Sequence, residues 1–275
     1  MIRGARASAL PPPFWAAFLF CAALAPAQDL RSVVSPNGQL EFRAFIVPPS
    51  PGEPDRLAYQ VLYEGKPLLD ASFISFEIRE QAPLGDKLGL MSAKTVVSKL
   101  YRSLGAEYMQ NGTTGRRLSL EVRAYDEGVA FRVVIPRSSP LEEIFLQNED
   151  TEFRFTADLE AFPALTPEFD KPAKTEGPVK LSRISSDELI AAPLVAHETG
   201  GPWVSISQTH SSVYPPLFLN HSDGTTLITA LPPLPKDPKL ALDTTTPLVC
   251  PWRLVLVGSS RESVTDWRIL GDLPL

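Results

Sequence analysis

Proline sets the first limit on what this chain can become. It supplies 28 of 275 residues, about twice ordinary usage, and it is bunched at Pro48–Pro54 (PPSPGEP) and Pro232–Pro238 (PPLPKDP). Proline lacks the amide hydrogen a helix interior needs, and its ring collides with the preceding turn, so long helices find little room. Short strands do fit. Leu57, Tyr59, Val61 and Tyr63 alternate with polar or smaller residues before Glu64-Gly65-Lys66-Pro67 turns the chain, and Ile74, Phe76 and Ile78 alternate with Ser75, Glu77 and Arg79. The clearest hairpin is Arg117–Pro136. Leu118, Leu120, Val122 and Ala124 share one face, Ser119, Glu121, Arg123 and Tyr125 the other, and Val129, Phe131, Val133 and Ile135 line the return strand. Asp126-Glu127-Gly128 is the turn, with Gly128 expected at positive φ.

Further strands are predicted at Thr151–Thr156, Trp203–Ser207, Thr225–Ala230 and Trp252–Val257, and one short helix within Ser260–Leu270, with Ser260 as its cap. Many short strands separated by turn residues specify an all-β protein, an antiparallel two-sheet sandwich with little helix. With 44% hydrophobic and 21% charged residues the chain can bury one large core. No internal repeat or linker divides it, so residues 28–275 read as one domain.

The first 27 residues read differently. Arg3 and Arg6 precede the apolar run Phe14–Leu24, and Ala25-Pro26-Ala27 is a small-x-small cleavage site, which together read as a Sec signal peptide cut before Gln28. An apolar run of about 11 residues is too short to span a bilayer, and Phe20 before Cys21 is too large for a lipobox. The expected location is the periplasm or the outside of the cell, with no membrane association after cleavage. Cleavage leaves 24 basic against 32 acidic residues, a formal charge of −8, which argues against nucleic acid as a partner. Cys250 is then the one remaining cysteine, so no intrachain disulfide can form. His197, His210 and His221 lie 13 and 11 residues apart, outside compact metal-ligand spacing.

One stretch carries the candidate chemistry, Gly201–Leu219 (GPWVSISQTHSSVYPPLFL). Trp203, Val204 and Ile206 make a strand, which opens into Gln208, Thr209, His210, Ser211 and Ser212 and closes at Tyr214 and a Pro-Pro pair. A strand end that opens into hydrogen-bonding side chains suits ligand binding, with Gln208, His210, Tyr214 and Trp203 as candidate ligand-binding residues. The plainer reading is an edge strand running into a proline-stiffened loop. Asn148-Glu149-Asp150-Thr151-Glu152 is the densest acidic patch; it lacks the glycine and spacing of an EF-hand loop and reads as a solvated loop entering a strand. Asp126 and Glu127 belong to the hairpin turn. The aromatic residues Trp203, Tyr214, Trp252 and Trp267 could stack on sugar rings or serve the core. Asn111-Gly112-Thr113 and Asn220-His221-Ser222 fit the glycosylation sequon, relevant only in a eukaryotic secretory pathway. No nucleophile elbow, Gly-rich phosphate loop or zinc-protease motif occurs.

The order of segments resembles the N-terminal β-supersandwich domain of glycoside hydrolase family 97, exported bacterial α-glucosidases and α-galactosidases. The similarity is carried by Ser35-Pro36-Asn37-Gly38, by LAYQVLYEGKPLLDAS (Leu57–Ser72), by GRRLSLEVRAYDEGVAFRVVIP (Gly115–Pro136), by NEDTEFRF (Asn148–Phe155), by Pro193-Leu194, by PWRLVLVG (Pro251–Gly258) and by LGDLPL (Leu270–Leu275). The resemblance implies a galactose mutarotase-like supersandwich. It also implies a (β/α)8 barrel, bearing the paired catalytic carboxylates, that would begin where this sequence ends. It implies a calcium-binding glutamate reaching from the sandwich to the barrel's site; at that position stands Gln208, which brings no charge, so calcium is not expected to be retained and no catalytic residue or other cofactor is expected. The family's stretch ahead of the central hairpin is replaced by Tyr108-Met109-Gln110-Asn111-Gly112 in a shortened connection. The resulting expectation is an exported, non-catalytic sandwich that binds an oligosaccharide or a barrel-bearing protein partner. One alternative is a fragment or split subunit of an α-glycosidase whose barrel is encoded separately. A weaker one is an aldose-epimerase-like enzyme, for which His197, His210 and Glu198 are the available acid–base groups.

Overall fold

The computed structural model describes residues 28–111, 115–266, 268–269 and 273. The proposed signal peptide, the first sequon's Gly112 and Thr113, Trp267 and most of the closing LGDLPL segment lie outside the described residues. In chain order the strands are β1 (Gln28–Val34), β2 (Leu40–Val47), β3 (Arg56–Tyr63), β4 (Lys66–Ile78), β5 (Leu84–Val97), β6 (Tyr101–Gln110), β7 (Arg117–Tyr125), β8 (Gly128–Ile135), β9 (Glu143–Arg154) and β10 (Glu160–Thr166). They continue as β11 (Lys174–Thr175), β12 (Val179–Lys180), β13 (Leu189–His197), β14 (Trp203–Gln208), β15 (Phe218–Asp223), β16 (Thr226–Ala230), β17 (Leu242–Thr245), β18 (Leu248–Val249) and β19 (Arg253–Gly258). A helix, α1 (Arg261–Thr265), follows, and Ser260 caps it through a reciprocal capping box with Ser263.

Every pairing is antiparallel. One sheet runs β1-β2-β3-β4-β9-β17 and the other β5-β6-β7-β8-β19-β14-β13-β10. Strand β9 belongs to both layers. Its first part pairs with β4 and β17, and its last residues pair with β16, which β15 links to β13. The expected all-β supersandwich is therefore what forms. Between the layers Phe42, Tyr59, Phe131 and Phe153 pack ring against ring, with Tyr59 and Phe131 centroids 4.7 Å apart. The Tyr59 hydroxyl donates to the Glu152 carbonyl at 2.6 Å, so the buried phenol keeps a partner.

Period-two alternation told the faces correctly. Leu118, Leu120, Val122 and Ala124 on β7 and Val129, Phe131, Val133 and Ile135 on β8 all point into this core. The second sheet also has an outer core. Tyr125, Ala130, Val195, Trp252, Leu254 and Leu256 are buried on its far face, beneath Val264, Ile269 and Leu273 of the C-terminal segment. Tyr125 is thus covered although it sits on the polar face of its hairpin.

Several expectations change. Strand β14 is no edge, because β13 and β19 flank it on both sides. Tyr108, Met109 and Gln110 are not in a connection but extend β6, with Tyr108 fully buried. The acidic patch at 148–152 is mid-strand rather than a solvated loop. Gly128 does not have positive φ. Its lack of a side chain is needed for a different reason: a Cβ there would lie 2.6 Å from the Val255 carbonyl oxygen and 2.9 Å from the Leu256 Cα. Backbone cannot swing away as a side-chain tip can. We therefore expect Gly128→Ala to lower the unfolding free energy by about 1–3 kcal/mol, the usual cost of overpacking, read as a shift in the urea midpoint at unchanged slope.

Candidate functional site

The candidate site begins where β14 ends. Gln208 pairs with Arg253 of β19, and one residue further on Thr209 and Trp252 continue the ladder. The Thr209 amide donates to the Trp252 carbonyl at 3.0 Å, and the Trp252 amide donates to the Thr209 hydroxyl at 3.0 Å. The chain then turns on Ser211, whose hydroxyl accepts from the Val213 and Tyr214 amides at 3.2 and 2.9 Å. That turn drives Tyr214 back into the protein, leaving it 3% exposed.

Tyr214 lands on the group that organises the site, Glu149. The Glu149 Oε2 atom accepts from Arg253 Nη2 at 2.6 Å and from the Tyr214 hydroxyl at 2.5 Å; Oε1 accepts from Arg253 Nε at 3.2 Å and the Thr151 hydroxyl at 2.7 Å. A carboxylate offers about four acceptor positions, and here all are filled. The Glu149 and Arg253 side chains are each 3% exposed. Arg253 Nη1 also donates to Gln208 Oε1, and Gln208 Nε2 donates to the Pro215 carbonyl at 3.2 Å. The Thr229 hydroxyl donates to the Glu149 carbonyl and accepts from the Thr151 amide at 3.0 Å. Burial works against the charge on Arg253, but Glu149 outweighs it and raises the guanidinium pKa. Burial, then Glu149, pushes the Tyr214 phenol well above its usual range. Burial does the same to the Cys250 thiol beside them.

The four sequence-derived candidates separate. Gln208 and Tyr214 meet in this buried network. His210 stays exposed and lines a groove of about 480 Å³ with Arg132, Ser211, Ser212, Thr244 and Trp252. Trp203 stands at the opposite end of β14, roughly 17 Å away at about 3.4 Å per residue, stacked on His197 (centroids 4.6 Å) and Phe162 (5.6 Å). His197 and Glu198 lie at that far end too, so β14 keeps them apart from His210. Glu149 and Arg253 escaped the sequence reading. The signal present was Glu149 alternating with buried Thr151 and Phe153, and Arg253 inside an otherwise apolar run.

Asp150, next to Glu149, faces the other way and accepts from the Asn148 amide nitrogen at 2.7 Å. Burial, with Glu77 nearby, raises its carboxyl from 3.8 to about 6.

The site is thus a groove of mixed polarity at a strand end, with Val213, Leu248 and Val249 beside its hydrogen-bonding groups, backed by a closed ionic network on an all-antiparallel supersandwich. The chain belongs to the glycosyl-hydrolase 97 N-terminal family, whose model matches residues 33–274. A retaining α-galactosidase of Bacteroides thetaiotaomicron is 27% identical over 238 residues, covering 79% of this chain and 34% of that protein; the chain spans about a third of the length of this curated relative. A glycoside hydrolase family 97 enzyme from Pseudoalteromonas sp. strain K8, solved in complex with acarbose, superposes with a TM-score of 0.74 at 18% identity, over 89% of this chain and 38% of that one. A β-arabinopyranosidase superposes with a TM-score of 0.69 at 22% identity, over 84% and 40%. At these identities the structures establish the fold.

Two outcomes follow from the network. Arg253→Met strands a buried carboxylate and should cost about 3–5 kcal/mol, whereas Tyr214→Phe removes one bond to a charge and should cost about 1.5–3 kcal/mol; denaturant titration separates them. Asp150 protonates near pH 6 in the fold and near pH 4 unfolded, so its ionised form weakens the fold as pH rises through that window. Asp150→Asn should therefore be more stable than the native chain at pH 7 and indistinguishable from it below pH 4, as measured by melting across that range.

Proposed function

We propose that this chain is an exported, non-catalytic β-supersandwich that binds α-linked oligosaccharide in the His210 groove and presents it to a family 97 catalytic barrel. The saturation of Glu149 carries the reading. Glycoside hydrolysis needs one carboxyl able to give up a proton and another able to attack or to activate water. The Glu149 carboxylate, with every acceptor position occupied and Arg253 against it, can do neither. What the network does is hold the 209–215 turn rigid, so that His210, Ser211, Ser212 and Thr244 offer hydrogen-bonding groups along one groove. Calcium has no place in this proposal. Gln208 Oε1 already accepts from Arg253, and a cation approaching that oxygen would meet a guanidinium. Among the described residues no group of three or more His, Cys, Asp or Glu is gathered for a metal.

A second reading, that a separate barrel-bearing protein covers the same face, is favoured by apolar groups that line the groove itself. Val213 is 65% and Val249 43% exposed, and a partner would bury them.

Titration calorimetry against α-linked gluco- and galacto-oligosaccharides should give saturable heat, weakened about tenfold by His210→Ala, the loss of one good hydrogen bond. No heat with any sugar would remove carbohydrate binding. Release of p-nitrophenol from a p-nitrophenyl α-galactoside by the purified chain would remove the non-catalytic assignment.

A further inference from the structure

The second sheet has one long open edge. Strand β5 begins between the layers, where Leu84 pairs with Phe76 of β4 and Asp86 with Arg56 of β3. From Ser92 to Val97 its one paired neighbour among the described residues is β6. Every second amide and carbonyl along that stretch therefore points away from any strand. Each residue from Met91 to Val97 is exposed.

The side chains there do not suit a lone edge. Ala93 and Thr95 stand opposite Ala106 and Leu104 of β6, which are buried in the core. Val97 is on that same core-facing side of the sheet, yet it is 77% exposed. The first sheet ends at β1, which packs over β6 and β7, and β5 projects beyond that cover. Among the described residues seven large hydrophobic side chains are exposed, and four of them, Met91, Val96, Val97 and Leu100, belong to this one hairpin end. Edges that remain single are usually blunted by proline, by several charges or by a bulge. Between Leu88 and Ser98 there is no proline and one charge, Lys94, and the register shift at Leu90–Ser92 comes before the open stretch.

We propose that two copies of this chain pair β5 to β5 about a two-fold axis, joining their second sheets into one. Antiparallel pairing of identical strands is self-complementary, because each residue meets on the other copy the partner it offers in return. The register centred on Thr95 suits the side chains. Thr95 meets Thr95, Ala93 meets Val97 on both sides of the axis, and Lys94 meets Val96. The Lys94 stem then covers Val96 while its ammonium stays in water, and Met91 reaches the Lys99–Leu100 turn of the other copy. A centre at Lys94 would set like charges face to face. The ladder ends at Val97, since the Ser98 amide is already bonded to the Tyr101 carbonyl at 2.9 Å within the hairpin. None of this depends on what the His210 groove binds. A dimer would carry two such grooves, an arrangement suited to a repeating ligand.

Sedimentation velocity of the purified chain from about 1 to about 200 μM, which spans the affinities of small interfaces, should show a monomer passing into a dimer. Thr95→Lys and Thr95→Glu, each setting like charges against one another on the axis, should weaken association at least about tenfold. Mixing those two variants in equal amounts should restore the dimer, which misfolded variants would not do. Thr95→Cys gives a second readout. Directly opposed residues have α-carbons about 4.5–5.5 Å apart, within disulfide reach, so mild oxidation with diamide should yield a covalent dimer on a non-reducing gel. The native Cys250 is buried, and the unsubstituted chain should yield none. A monomer at every concentration would overturn the inference. So would a dimer indifferent to both charge variants, or association that continues past the dimer. A monomeric chain that captures a barrel-bearing protein, and loses it on Thr95→Lys, would overturn it too and give the edge to that partner.

Discussion

The buried pair of Glu149 and Arg253 is the contact on which the rest of this arrangement depends. Removing two charges from water is costly, and their mutual attraction offsets that only when hydrogen bonds complete both groups. Here they do. Thr151 and Tyr214 fill the remaining carboxylate positions, and Gln208 takes a third guanidinium nitrogen. The pair joins β9, which serves both layers, to β19 in the middle of the second sheet, and Gln208 and Tyr214 tie the turn between them into the same knot. The groove wall that carries His210 leaves the protein in one direction because both of its ends are held from below.

The second sheet is covered on both of its faces over part of its extent. A sandwich needs one apolar face per sheet, but β19 carries buried apolar residues on both, with Val255 and Val257 on one side and Leu254 and Leu256 on the other. The C-terminal segment covers part of the outer face through Val264, Ile269 and Leu273. Towards β5 and β6 that cover is absent among the described residues, and the outward residues change to Lys94, Ser103, Glu121 and Arg123. The junction falls at Trp252, buried by one neighbourhood and bordered by arginines of the other.

Much of this was legible in one dimension. Alternation placed β3, β4, β7 and β8 and told their inner faces from their outer ones, because a strand's side chains must alternate. The prolines excluded long helices for a reason equally local. Ser260 announced the cap of α1 because its partner lies three residues away. Family membership, too, followed from the order of such local segments. The strand-end stretch is legible too, but not that two of its members, Gln208 and Tyr214, face inward.

What could not be read depends on distance along the chain. Glu149 looked solvated because its neighbours are charged, and its partner Arg253 is 104 residues away. Gly128 looked like a turn residue, but β19 crossing behind it is what forbids a side chain. Gln208 and His210 are two residues apart and look equivalent. One is locked against Arg253 and the other faces solvent. The sequence by itself determined the strands, their faces and the family, since these rest on period, turn chemistry and segment order. Only the tertiary structure decided which polar groups at the end of β14 are spent on each other and which face solvent, because that division is made by residues the chain brings together from four separate strands.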